Sequence, residues 1–352
     1  MIKKLAFSVT YDCPISCKYC VTRSGLNNGP SLDAKFMKEV ISRIIEQTDL
    51  CSVIFTGGEA LLKLADVEET IRFAHSKGIW TRIVSNAFWA KNSATAERLL
   101  LRLKEAGLGE INVSCDDLHQ EHIPLTNIYN AFWGAKHVGL PILIAHKKVV
   151  NAKITPEYLS EFLGVELEEI KQGEVCQNES NYYSSSLTVP IGNGVDKLNE
   201  EEYIIYPESP CAWTGPCAGV LEGLVISPTK ELHICCGMME QSVPELSIGA
   251  WDSNRIAEII YNANTDLIAN WLALEGPYGL MRFIQEKAPS VEFKDRYVNN
   301  CHLCNDIFTR QDTRAVLAKY ADEKSAELSL RRGVLEALRY TDENQLNPNQ
   351  SG

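Results

Sequence analysis

The sequence predicts an α/β fold built on a parallel sheet, open or closed into a barrel. Two observations carry that expectation. Up to about residue 150, short β-branched runs alternate with longer runs whose apolar residues recur at helical spacing, a pattern that calls for strand–helix units joined by right-handed crossovers. Three of the helical runs also end in a glycine after Lys, Ala or Val, where a helix C-cap belongs.

Taken in order, the strands are expected at 5–11 (LAFSVTY), 52–57 (SVIFTG), 80–86 (WTRIVSN), 110–116 (EINVSCD) and 141–150 (PILIAHKKVV). The helices between them are expected at 31–47, 64–78, 93–107 and 125–139. In such folds the chemistry gathers at the C-terminal ends of the strands, and the distinctive residues fall there. Residues 1–165 are the main part of this domain. From 166 to 210 the chain turns polar and turn-rich, which reads as a last barrel strand and a linker excursion. Residues 211–310 bear a second group of cysteines and include a hairpin, GLVIS and ELHIC around the turn PTK. The tail, 311–352, is charged and helical until a final NQLNPNQSG that is expected to fray.

With 352 residues, 45% hydrophobic and 23% charged, the chain has the proportions of a globular protein with a large core. No apolar run approaches the roughly 20 residues of a membrane span, and the N-terminus lacks a signal-peptide pattern, so a soluble, cytoplasmic protein with no membrane partner is expected. A net charge of -12 argues against a nucleic-acid partner, because phosphate binding needs a basic surface. Twelve cysteines without an export signal point to metal binding or redox work rather than disulfides.

The stretch YDCPISCKYC places Cys13, Cys17 and Cys20 in one loop directly after the first strand. A structural zinc site needs four closed ligands, and a disulfide staple suits a small secreted protein. Three thiolates in one short loop suit an iron–sulfur cluster with one iron left open. This C-x3-C-x2-C spacing, with Tyr19 before the last Cys, resembles the signature of the radical S-adenosylmethionine (radical SAM) superfamily. The resemblance implies a partial (β/α)6 TIM-type barrel. It also implies a [4Fe–4S] cluster on the three cysteines whose open iron binds S-adenosylmethionine, cleaving it to a 5′-deoxyadenosyl radical that abstracts a hydrogen from substrate. Further motifs match in order. Gly57, Gly58 and Glu59 resemble the family's GGE motif for the methionine ammonium, and Ser85 and Asn86 resemble its ribose and carboxylate segment. Ser114 and Asp116 would face cofactor or substrate, and Lys147 or Lys148 could neutralise the methionine carboxylate.

The second cysteine group resembles the SPASM/Twitch extension of this family, a smaller C-terminal α+β unit. Cys217, Cys235, Cys301 and Cys304 would then hold one auxiliary [4Fe–4S] cluster, with zinc as the alternative. Lys230 stands where the turn glycine is usual; Cys211 and Cys236 are spare, and Cys51 and Cys176 incidental. Asp117 and His119, in DDLHQEHIP, are candidates for acid–base catalysis or substrate binding. The family implies a ribosomally made peptide as substrate, matured by cross-linking, epimerisation or oxidation. The alternatives are dehydrogenation of an aminocyclitol or sugar-like alcohol, and a non-catalytic scaffold. It further implies a flavodoxin or ferredoxin as electron donor. A peptide would be recruited by a separate leader-recognition protein or by a docking strand at 201–207.

Overall fold

The computed structural model describes residues 2–27, 29–170, 181–205, 214–235 and 243–331. Cys176, Cys211 and Cys236 lie outside the described residues, as do the last two residues of the expected docking segment. The strands are β1 (Lys4–Thr10), β2 (Ser52–Gly57), β3 (Trp80–Ser85), β4 (Glu110–Ser114), β5 (Ile142–Lys148), β6 (Glu168–Glu169), β7 (Tyr182–Leu187), β8 (Gly223–Ile226), β9 (Glu231–His233) and β10 (Ser247–Ala250). The helices are α1 (Ala34–Ile45), α2 (Leu64–Ser76), α3 (Ser93–Glu105), α4 (Asp117–Gln120), α5 (Leu125–Val138), α6 (Pro156–Leu163), α7 (Gly194–Lys197), α8 (Ile256–Thr265), α9 (Leu267–Lys287), α10 (Asn300–Thr309) and α11 (Gln311–Lys319). None of them is long and apolar enough to cross a membrane.

Among the described residues one sheet runs in the order β10-β9-β8-β1-β2-β3-β4-β5-β7-β6. Strands β1 to β5 and then β7 pair in parallel. Their outward side chains, such as Phe7, Phe55, Ile83, Ile111 and Ile144, are fully buried under the helices. The helices are cut to match. In α1, Asp33 caps the first turn through the Phe36 N–H, and Phe36, Met37, Val40, Ile41 and Ile44 form the buried stripe. The inward face differs: Ala6, Thr56, Asn112, Ser184 and Ser186 line one cavity of about 330 Å³. First and sixth strands can share a cavity only if the sheet curls toward closure, which makes the six strands a partial barrel. Its interior carries an ion pair, Arg82 Nε to Glu110 Oε1 at 2.7 Å, with Arg82 also 4.8 Å over the Trp80 ring.

Two features refine the sequence reading. The sixth barrel strand is β7, drawn from the polar stretch YYSSSL. The C-terminal hairpin is not detached from the barrel, because β8 pairs in parallel with β1 from Lys4↔Gly223 to Phe7↔Ile226 and β9 and β10 continue the same sheet. At the hairpin turn Lys230 takes φ 65, the left-handed conformation that glycine adopts without strain. Its ammonium lies 4.5 Å over the Phe36 ring, tying the turn to α1.

Candidate functional site

The loop after β1 is pinned to its neighbours by backbone bonds. Cys13 N–H donates to Gly25 O at 2.9 Å and Gly25 N–H to Tyr11 O at 3.2 Å, closing the loop on itself. The end of β2 locks against it: Gly58 N–H donates to Thr10 O at 2.7 Å and Glu59 N–H to Asp12 O at 2.9 Å. A Cβ on Gly58 would lie 2.3 Å from Asp12 O, and one on Gly57, at φ +117, would lie 2.5 Å from Thr10 O, so the approach requires both glycines. From the other side comes the turn after β7. Asn193 N–H donates to Cys20 O at 2.9 Å and its Nδ2 to Cys17 O at 3.2 Å, while Gly192 leaves no room for a Cβ against Cys20 O. Sequence reading passed over this clamp, whose signal was the Gly-Asn-Gly of the turn-rich stretch.

Cys13, Cys17 and Cys20 open on a cavity of about 200 Å³ at the C-terminal ends of the barrel strands. Gly57, Gly58, Ser85, Asn86, Ser114 and Lys147 line it with them, as does His119. Lys147 also donates to Ser186 Oγ at 2.7 Å, and Tyr19, Thr56, Val84, Ser114 and Lys147 border this cavity and the barrel lumen alike.

These residues fit the group they were expected to hold. The donor set is three thiols in one wall, soft ligands suited to iron–sulfur chemistry, and polar donors reach their sulfurs from outside the triplet. Burial, with smaller contributions from the Glu59, Cys17 and Cys20 charges, pushes the Cys13 thiol up to about 12. A metal would reverse that by holding the thiolate.

Residues 7–160 match the family model described as "Radical SAM superfamily". That match takes in less than half of the chain. Curated relatives overlap it in part. A GTP 3′,8-cyclase of Rhodococcus opacus is 26% identical over 170 residues, 45% of this chain and 45% of that one. A GTP 3′,8-cyclase of Listeria welshimeri is 30% identical over 149 residues, 39% of this chain and 42% of that one. Molybdenum cofactor biosynthesis protein 1 of Mus musculus is 29% identical over 116 residues, 32% and 18% of the two chains. This chain thus spans less than half the length of these relatives. Among solved structures, Streptococcus suis SuiB bound to S-adenosylmethionine aligns at a TM-score of 0.45 and 14% identity, over 68% of this chain and 62% of that one. SuiB bound to its precursor peptide SuiA aligns at 0.42 and 14%, over 74% and 65%. Neither likeness is close enough to carry an argument.

Three of the residues expected to meet cofactor or substrate bond to groups of the protein itself. Glu59, 1% exposed, turns its carboxylate into the protein: Oε1 accepts from Leu61 N–H at 3.1 Å, Oε2 from Asn86 N–H at 2.8 Å, and Ser85 Oγ donates to both. It joins the ends of β2 and β3 instead of lining the cavity. Asp116, fully buried, caps α4 through the Leu118 and His119 N–H groups. Its Oδ2 accepts from Tyr19 Oη at 2.9 Å and lies 2.9 Å from His119 Nδ1. Asp117 does not reach the cavity; it accepts the Lys153 and Ile154 N–H groups at 2.9 and 3.1 Å, fastening the loop after β5. Of the two candidates for acid–base catalysis or substrate binding, His119 lines the cavity and Asp117 does not.

His119 pairs with Asp116. Burial alone would lower the imidazole, but the Asp116 charge and hydrogen bond, aided by Cys17, raise it to about 10. Burial would likewise raise Asp116, and the His119 charge holds it below the usual carboxylate range. The site thus favours the charged imidazole, which meets Tyr19 and Cys17 of the cluster loop.

The four cysteines expected to hold an auxiliary cluster lie in the C-terminal region. Leu221 N–H donates to Ile234 O at 3.2 Å, which sets the Cys217 turn beside the end of β9, where Cys235 follows. This end of the hairpin is level with the start of β1, where Lys3 N–H donates to Glu222 O. Cys217 N–H donates to Leu272 O of α9, and α10, carrying Cys301 and Cys304, packs along α9. Among the described residues, no three His, Cys, Asp or Glu side chains converge closely enough for a single metal ion.

Proposed function

We propose that this chain is a radical SAM enzyme acting on a polar residue of a ribosomally made peptide. The observation that carries the reading is the convergence of Cys13, Cys17 and Cys20 with Gly57, Gly58, Ser85, Asn86, Ser114 and Lys147 around one cavity at the strand ends. When bound there, a [4Fe–4S] cluster with S-adenosylmethionine supplies one-electron cleavage of the sulfonium and a radical able to abstract hydrogen. The chain's own part is orientation and exclusion. Carbonyls at the Gly57–Gly58 bend can accept an ammonium, Lys147 can meet a carboxylate, and the glycines and Asn193 hold the loop against the strand ends. An auxiliary cluster on Cys217, Cys235, Cys301 and Cys304 would sit toward the opposite end of β1, a strand of seven residues or about 20 Å.

The substrate group would enter the lumen between. Its lining sets polar groups such as Thr56, Arg82, Asn112, Ser184 and Ser186 among apolar ones, and Asn112 Oδ1, on a residue that is 7% exposed, has no hydrogen-bond partner among the described residues. A buried acceptor left open asks for an N–H or O–H from a ligand. The same lining supports a second reading, dehydrogenation of a sugar-like alcohol. The net charge of -12 weighs against a nucleotide substrate of the cyclase kind.

Anaerobic reconstitution tests the proposal. About eight irons per chain are expected for two four-iron clusters, along with 5′-deoxyadenosine formation from S-adenosylmethionine and a reductant, abolished in Cys17→Ala. Zinc without iron would overturn it. Deuterium transfer from labelled peptide or labelled alcohol into 5′-deoxyadenosine separates the two substrates.

A further inference from the structure

The sulfurs of the cluster loop are not bare. Asn86 Nδ2 donates to Cys13 Sγ at 3.5 Å, with both residues buried. The orientation of that amide is settled by its other end, since Asn86 Oδ1 accepts the Phe88 N–H at 3.0 Å. The nitrogen, not the oxygen, therefore faces sulfur. Cys20 Sγ receives the Ser24 N–H at 3.3 Å and lies 3.5 Å from the Thr22 hydroxyl, which is itself 2.8 Å from Ser24 Oγ. A metal-bound thiolate has no proton to give. The direction is then fixed: Ser24 Oγ–H donates to Thr22, and Thr22 Oγ–H to Cys20. Such a relay polarises each bond in turn.

Resting on the cluster assignment above, we infer that Asn86 and the Thr22–Ser24 pair set the reduction potential of the cluster held by Cys13, Cys17 and Cys20. A cluster gains one negative charge on reduction, and part of that charge resides on its thiolate sulfurs. Donors aimed at those sulfurs from the buried Asn86, Thr22 and Ser24 stabilise the reduced form more than the oxidised one. The setting makes this useful, since the chain is acidic throughout and an acidic surround opposes the added negative charge. This gives Asn86 a task separate from any contact with S-adenosylmethionine.

The experiment is a redox titration of the anaerobically reconstituted holoprotein with dithionite as the one-electron donor. The reduced cluster is followed by electron paramagnetic resonance, without S-adenosylmethionine. At the wild-type midpoint, Asn86→Ala should lower the ratio of reduced to oxidised cluster about threefold to tenfold, where tenfold corresponds to about 59 mV for one electron. Thr22→Val should shift it in the same direction by less, because the Ser24 N–H remains, and Thr22→Ser should titrate as wild type. If the wild type reduces normally and both Asn86→Ala and Thr22→Val keep its midpoint, the inference is wrong while the cluster assignment stands. If Asn86→Ala fails to assemble a cluster, the Val and Ser variants of Thr22 decide alone. A wild type with no reducible cluster would overturn the assignment and this inference together.

Discussion

Glu59 shows how a residue expected to touch cofactor can serve the scaffold. Burial, opposed by hydrogen bonds from Asn86, Leu61 and Ser85, pushes its carboxyl from 4.5 up to about 7. Between those values the folded protein holds a proton that the unfolded chain has lost, so stability falls as pH rises from about 4.5 to about 7 and levels off above. The difference in melting temperature, wild type minus Glu59→Gln, should therefore be larger at pH 5 than at pH 8; equal differences would refute the buried, titrating carboxylate. Gly58 offers a second test at this scale. Gly58→Ala forces a Cβ into the Asp12 carbonyl and should reduce iron incorporation severely, whereas Gly25→Ala, with nothing within 4 Å, should load as wild type. The glycines were legible because a Gly-Gly-Glu after a strand is a distinctive pattern. The scaffold roles of Asp116 and Asp117 were not legible, since two adjacent acids at a strand end look alike until one is seen capping α4 and the other holding residues 153 and 154.

The elements were readable in proportion to how strongly burial patterned them. Strands β2 and β3 fall within a residue of expectation because buried outward side chains alternate with partly buried inward ones. Strand β7 was only loosely placed within 166–210, since all six of its residues are partly buried and Ser184 and Ser186 line the lumen. No hydrophobic period marks such a strand. The hairpin was legible from its turn, and Lys230 allows that turn to be tested. Lys230→Ala keeps the left-handed strain and loses the Phe36 contact, which should cost about 0.5–1 kcal/mol. Lys230→Gly loses the same contact but relieves strain of about 1 kcal/mol, so it should be the more stable of the two variants in urea. The reverse order would show that the turn is not strained.

Across the whole molecule, the continuous sheet couples the two cysteine groups. Because β8 is bonded along β1, the hairpin cannot leave without exposing a barrel strand, and urea should unfold the described body in one transition with coincident fluorescence and circular dichroism. Two separated transitions would mean that the C-terminal region folds independently. No local sequence signal reports such a pairing, because Lys4 and Gly223 meet only through topology. The Asn193 clamp on Cys17 and Cys20 has a further consequence, one of timing. The cluster loop leaves the ribosome well before residue 193, yet the Cys17 and Cys20 carbonyls acquire their partner only when residue 193 emerges. At about 5–20 residues per second, that interval is roughly 9–35 s. Through it the three thiols belong to an unfinished nest, and iron delivered to a nascent chain stalled before residue 193 should not be retained.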